Sequence, residues 1–111
     1  MFLKLAKSKF VHLVTLIVFQ LAIYLLTMPR NLSWGAYGNA SDGGELITAV
    51  NYLGVPHPPG YPTYIILLKI FTSIIPFGNL ALKSNLFSVL TSITAISIIF
   101  LFTFKLSENF L

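Results

Sequence analysis

The sequence contains no cysteine and very little charge: of its 111 residues, 9% are Asp, Glu, Lys or Arg. Without cysteine there can be no disulfide, no thiolate nucleophile and no Cys-ligated metal, and the redox compartment stays open. The shortage of charge excludes more. Soluble domains carry roughly a quarter charged residues, so this inventory cannot build a water-facing surface. What is abundant is apolar: 56% of the residues are hydrophobic and the mean hydropathy is +0.85. The class is an integral membrane protein. The formal charge of +4 does not indicate nucleic acid, because the basic residues are scattered and no polar surface carries them. Lys4, Lys7 and Lys9 read instead as topology signals.

Three apolar runs follow one another. The first, about 10–28, has roughly the twenty residues needed to cross a hydrocarbon core of about 30 Å. It is long for a signal-peptide core and ends in Met28-Pro29-Arg30 without a small-x-small cleavage site, so it reads as a retained span. Gln20 lies mid-span and is expected to face protein rather than lipid. The second run, about 61–76, is short and holds Lys69. A charge at that depth is a functional-site hypothesis by default. A lysine that snorkels or finds a buried partner is the preferred reading, since Lys69 is about 10 Å of helix from Pro76. The third run, about 85–104, carries Ser88, Thr91, Ser92, Thr94 and Ser97, residues that let helices approach and hydrogen-bond. The expectation is therefore all-α, with three transmembrane helices.

Between the first two runs, residues 29–60 are polar and rich in Gly and Pro, with Trp34, Tyr37 and Tyr52 suited to a membrane–water interface. ELITAVNYL places Leu46, Ala49, Val50 and Leu53 at helical spacing, with Gly54 and Pro56 as a stop. It reads as a short amphipathic helix on the membrane surface or against neighbouring spans. Three spans put Lys4, Lys7, Lys9 and Lys83 on one side and Arg30 and Lys105 on the other. The positive-inside rule then places the N terminus in the cytoplasm and residues 29–60 outside it. Asn31-Leu32-Ser33 and Asn39-Ala40-Ser41 match the glycosylation sequon, and neither is expected to be used.

Two stretches carry candidate chemistry. In SDGGEL, Asp42 and Glu45 have the form of a capping box, each side chain reaching the other's amide, worth about 0.5–2 kcal/mol. Gly43 and Gly44 disfavour a plain cap, since each is a poor first-turn residue by close to ~1 kcal/mol. The alternative is a general base within about 3 Å of an acceptor hydroxyl, with the glycine amides cradling an anion. In HPPGYP, Pro58, Pro59, Gly60 and Pro62 make a rigid entry into a helix, and Tyr61 suits the interface. His57 is not needed for that role and has the chemistry to donate to a phosphate or a carboxylate.

Taken together, SDGGELITAVNYLGVPHPPGYPTYIILLKIF and IPFGNLALKSNLFSVLTS resemble the N-terminal signature of the transmembrane protein 260-like family. Its members are protein O-mannosyltransferase-like membrane enzymes, once catalogued as a domain of unknown function. The matching positions are Asp42, Glu45 and Leu46, then Gly54, His57, Pro58, Pro59, Gly60, Tyr61 and Pro62, then Asn85, Leu86 and Ser88; the resemblance covers about 10–104. It implies a glycosyltransferase of the GT-C architecture, taking a sugar from a polyprenyl-phosphate carrier on the non-cytoplasmic side of a bacterial inner membrane or endoplasmic reticulum. It implies Asp42 as the base, with inversion, and Glu45 orienting Asp42 or the acceptor. His57 faces the carrier phosphate, with Gly43, Gly44 and Tyr61 also on substrate. The acceptor is a protein, lipid or glycan hydroxyl, and no cofactor beyond the lipid-linked donor is implied. Members have many more spans, so this chain is expected to be an N-terminal fragment that works with the remaining spans. The rival readings are a small structural or assembly protein whose acids only cap a helix, and a transporter fragment using Lys69 and Gln20.

Overall fold

The computed structural model describes residues 2–31 and 42–110, and side chains within 8–31 and 42–107. Their regular structure is helical throughout: α1 (Phe2–Thr27), α2 (Gly43–Tyr52), α3 (Pro62–Ile74) and α4 (Leu80–Phe110), with no strand among the described residues. The chain divides into two compact units, Met1–Met28 with Val89–Leu111, and Pro29–Ser88.

The first unit is built from α1 and the second part of α4. Ser8–Thr27 and Leu80–Ser107 are long and apolar enough to cross a membrane. Lys9 Nζ sits 5.1 Å from the centre of the Phe104 ring, so the start of α1 meets the end of α4. Large side chains such as Phe19, Leu26, Ile98 and Phe102 point outward. Surface of that kind calls for lipid or further helices. Hydroxyls are returned to their own helix, as when Thr15 donates to Val11 O at 2.9 Å and Thr94 to Leu90 O at 2.8 Å. Gln20 turns inward, its Oε1 buried with no hydrogen-bond partner among the described residues, as is Ser97 Oγ.

The second unit has the core. α2 ends where Leu53 takes a left-handed conformation (φ 53°) and Gly54 N–H donates to Ala49 O at 2.8 Å. The left-handed cap falls on Leu53, one residue before the glycine that the sequence suggests for it. Ala49 and Val50 of α2 close on Ile65 and Leu68 of α3, flanked by Leu46, Tyr64, Phe71 and Phe87. Val50 and Leu68 are fully buried; side chains of this size contribute about 1.5–3 kcal/mol each when taken out of water. Lys69 Nζ donates to Asn51 O at 2.9 Å, holding a carbonyl in the last turn of α2, and Lys83 Nζ does the same for Thr72 O in α3 at 3.1 Å. Lys69 is thus a paired lysine that ties the two short helices together.

α4 opens with a cap. Gly78 (φ 80°) makes the turn, and Asn79 Oδ1 accepts from the Leu82 amide at 2.8 Å. Asn79 Nδ2 donates to Asn31 Oδ1 at 2.8 Å, and Asn85 Nδ2 to Pro29 O at 2.7 Å.

Of the three expected spans, α1 and α4 are long and apolar enough to cross a membrane, and α3 is a shorter apolar helix. The Asn79–Asn31 and Asn85–Pro29 contacts tie the residues that follow α1 to those that open α4. α3 has 13 residues, about 20 Å of helix; Ile65 and Leu68 pack against α2, whereas Ile66, Leu67, Ile70 and Ile74 are exposed. Lys83 follows the Asn79–Asn31 contact and lies at the Arg30 end, whereas Lys105 adjoins Phe104 and lies at the Lys9 end.

Candidate functional site

The site is assembled by one side chain reaching across a loop. Glu45 lies in the first turn of α2, and His57 lies twelve residues on, beyond the Leu53 cap and Pro56. Glu45 Oε1 accepts the His57 backbone amide at 2.7 Å, and Oε2 lies 2.7 Å from His57 Nδ1. Both oxygens of the carboxylate are thereby committed to one residue. Since a carboxylate only accepts, Nδ1 carries the hydrogen in this bond.

The other ring nitrogen is left facing the open side. His57 Nε2 is 3.9 Å from Asp42 Oδ2 and 3.4 Å from the Tyr61 hydroxyl. Neither is a short hydrogen bond. The Tyr61 ring stands edge-on to the imidazole, centres 5.5 Å apart. The HPPGYP stretch explains why these groups converge. His57 O accepts from Gly60 N–H at 2.9 Å, closing a turn, and Gly60 (φ 83°) has Val55 Cγ1 only 3.2 Å from where a Cβ would stand. The Pro58–Pro59 peptide is cis. Tyr61 is left-handed (φ 45°) just ahead of Pro62, which opens α3 as a proline tolerates.

The electrostatics follow from this geometry. The hydrogen bond from the His57 ring, then that from its amide, holds Glu45 below the ordinary carboxylate value, while Glu45 raises His57 above the ordinary imidazole value, with Asp42 adding to the effect. The pair is half-exposed: the side chains of His57, Glu45 and Asp42 are 37%, 49% and 71% accessible.

The capping box does not form. Asp42 stands at the N-cap of α2 in a helical conformation (φ −48°, ψ −14°) and makes no side-chain cap hydrogen bond; its carbonyl takes the Leu46 amide at 2.8 Å. Glu45 reaches His57 instead of Asp42. Gly43 is the first residue of α2, and a Cβ on Gly44 would meet nothing within 4 Å. Gly44 borders an open groove of about 350 Å³, whose lining includes Glu45, Thr48, Tyr52 and Val55. Asp42, Glu45, His57 and Tyr61 thus come together, and Gly44 lies beside Glu45. Sequence reasoning missed Thr48 and Tyr52, although they follow Gly44 at helical intervals of four. No group of three His, Asp or Glu side chains among the described residues is placed to hold a metal ion. The sequon residue Asn31 is engaged with Asn79, while the second sequon, Trp34 and Tyr37 lie outside the described residues.

Residues 42–111 match the model of the protein O-mannosyl-transferase TMEM260 N-terminal domain. The chain belongs to this family. It is 43% identical over 88 residues to the protein O-mannosyl-transferase TMEM260 of Mus musculus, covering 79% of this chain and 12% of that protein. It is 35% identical over 98 residues to the protein of the same name from Dictyostelium discoideum, covering 88% of this chain and 11% of that one. No solved structure matches. Every member of the Asp42, Glu45, His57 and Tyr61 cluster falls in the stretch matched to the TMEM260 N-terminal domain.

Proposed function

We propose that the chain forms the N-terminal part of a membrane glycosyltransferase that moves mannose from a polyprenyl-phosphate carrier to an acceptor hydroxyl, with inversion at the anomeric carbon. Asp42 is the base that takes the hydroxyl proton, and His57, held by Glu45, faces the carrier phosphate. Gly43, Gly44 and Tyr61 border the substrates. The observation that carries this reading is that Asp42 is spared from capping while Glu45 and His57 are locked beside it. A structural subunit whose acids only cap a helix has no use for that arrangement. A transporter lysine is not supported either, because the Lys69 amine donates to α2.

In this reading α1 and α4 each cross the membrane, and Asp42 lies on the non-cytoplasmic side. Lys4, Lys7, Lys9 and Lys105 at one end outnumber Arg30 and Lys83 at the other, which supports a cytoplasmic N terminus and a non-cytoplasmic Asp42. The membrane is a bacterial inner membrane or the endoplasmic reticulum. The chain spans 12% of the mouse relative's length, so the carrier groove and the acceptor site require spans beyond these two. The test is a chimera in which this chain replaces the matching stretch of the mouse relative. Asp42→Asn keeps a good N-cap residue and removes the base. Stable expression with sugar transfer reduced about 10²–10⁴-fold supports the reading; unchanged transfer overturns it.

A further inference from the structure

We propose that a groove between α1 and the second part of α4 holds one anionic phospholipid of the bilayer, with its phosphate at Lys9 and an acyl chain along Leu16, Phe19 and Phe100. The groove is open, has a volume of about 540 Å³ and is lined by Val11, His12, Thr15, Leu16, Phe19 and Phe100, all within one compact unit. Lys9, His12, Leu16 and Phe19 follow one another along α1 at intervals of three and four, so they share a face of the helix. From a cation at one end to a phenyl ring at the other, that face runs about 15 Å. The order is that of an amphiphile, head first and then tail. The two polar side chains in the wall are spent on α1 itself. Thr15 donates to Val11 O at 2.9 Å, and His12 Nδ1 to Ser8 O at 2.6 Å. Below Lys9 the wall therefore offers mainly carbon, which an acyl chain covers by van der Waals contact.

The cation is held where a headgroup meets it. Lys9 Nζ stands 5.1 Å from the centre of the Phe104 ring, and Phe104 lies beside Phe100, ring centres 6.1 Å apart. These rings link the ammonium to the groove wall. A ring face attracts an ammonium without using up its three N–H groups, so a phosphate oxygen takes the rest. Both ion pairs among the described residues involve His57, so neither of their carboxylates neutralises Lys9. Lys105, next to Phe104, adds a second cation at that end of the helix pair. Charge decides between occupants. A further apolar helix laid in the groove satisfies the wall and leaves Lys9 without a counter-ion, whereas an anionic phospholipid supplies both parts in the right order. In the orientation proposed above, the Lys9 end meets the cytoplasmic leaflet, where anionic lipids concentrate, across the membrane from Asp42. The lipid held there is therefore distinct from the sugar donor.

The test offers the full chain, purified in neutral detergent, equal amounts of phosphatidylglycerol and phosphatidylcholine with matched acyl chains. Native mass spectrometry counts the lipid retained. Phosphatidylglycerol should be favoured by about fivefold for each lysine near its headgroup. Lys9→Gln should cut the preference by that factor. Arg30→Gln removes the same charge beyond the other end of α1 and should leave the ratio as it was. Val11→Trp fills the groove and should lose most of the bound lipid of either kind. No preference in the parent chain, an unchanged ratio in Lys9→Gln, an equal fall in Arg30→Gln, or unchanged retention in Val11→Trp overturns the proposal. A further arm substitutes polyprenyl phosphate for phosphatidylglycerol. It should be retained no better than the phospholipid; exclusive retention of it makes the groove a carrier site and overturns the proposal too. The readout is lipid rather than sugar transfer, so these outcomes leave the reading of Asp42 as base untouched.

Discussion

The two units of the chain are made of similar letters but are held together differently. In Met1–Met28 with Val89–Leu111, large apolar side chains face outward and the Thr15 and Thr94 hydroxyls are bonded within their own helices. Few positions there depend on a particular neighbour. In Pro29–Ser88, the short helices are fixed by named pairs: Val50 with Leu68, Lys69 with Asn51, Lys83 with Thr72, Glu45 with His57, and Asn79 with Asn31. Hydropathy sets the first unit, whereas side-chain identity sets the second. The candidate chemistry sits in the unit where identity matters.

The difference is open to challenge by substitution. The largest effect is expected on transfer, from Glu45→Ala in the mouse chimera. It releases both the His57 ring and its amide, and activity should fall by at least the order of a lost acid–base group, about 10²-fold, in a mannosyl-transfer assay. In the core, Leu68→Ala should cost about 2–5 kcal/mol, measured as unfolding in mild detergent. The same truncation at exposed Ile98 of α4 should stay within about 0.5 kcal/mol. Equal sensitivity at the two positions would erase the distinction between the units. Asn79→Ala removes the cap on α4 and the tie to Asn31, and should cost about 0.5–2 kcal/mol for the cap alone, visible in the same unfolding measurement.

The smallest effect is with pH. Glu45 lies below its ordinary value of 4.5 and His57 above its ordinary 6.5. A lowered carboxylate contributes fully above 4.5 and fades as pH falls through its depressed value. A raised imidazole contributes fully below 6.5 and fades as pH rises through its elevated value. The clasp should therefore be strongest between these limits and loosen on the alkaline side. Amide exchange at His57, corrected for the intrinsic pH dependence, should show protection falling there, and Glu45→Gln should abolish the trend.

How much of this was legible in the sequence depends on the range of the interaction. Pro62 at the head of α3, the PFGN turn and the helix over ELITAVNY are local, and the letters carry them. The pairing of Glu45 with His57 is not local. Asp-x-x-Glu fits a capping box as well as an open site, and only the path of residues 53–57 decides which amide Glu45 reaches. Tyr61 takes the left-handed conformation beside a glycine that does so more readily, and nothing in its letter announces this. The run from Tyr61 to Pro76 has the hydropathy of a span, and its helix is 13 residues long with Ile65 and Leu68 packed on α2, a pairing that hydropathy does not reveal. Charge counting assigns sides only after the number of crossings is known.

The central claim is that Asp42 and the α2–α3 pair lie on the side of the membrane opposite the cytoplasm. The chain has no cysteine, so single cysteines report without background. Val55→Cys and Phe77→Cys, both at exposed positions, flank α3, and Lys105→Cys marks the other end of α4. Labelling with a membrane-impermeant maleimide should reach positions 55 and 77 from the non-cytoplasmic side, and position 105 only after permeabilisation. Labelling of 55 and 77 from opposite sides, or of both from the cytoplasm, would contradict the account.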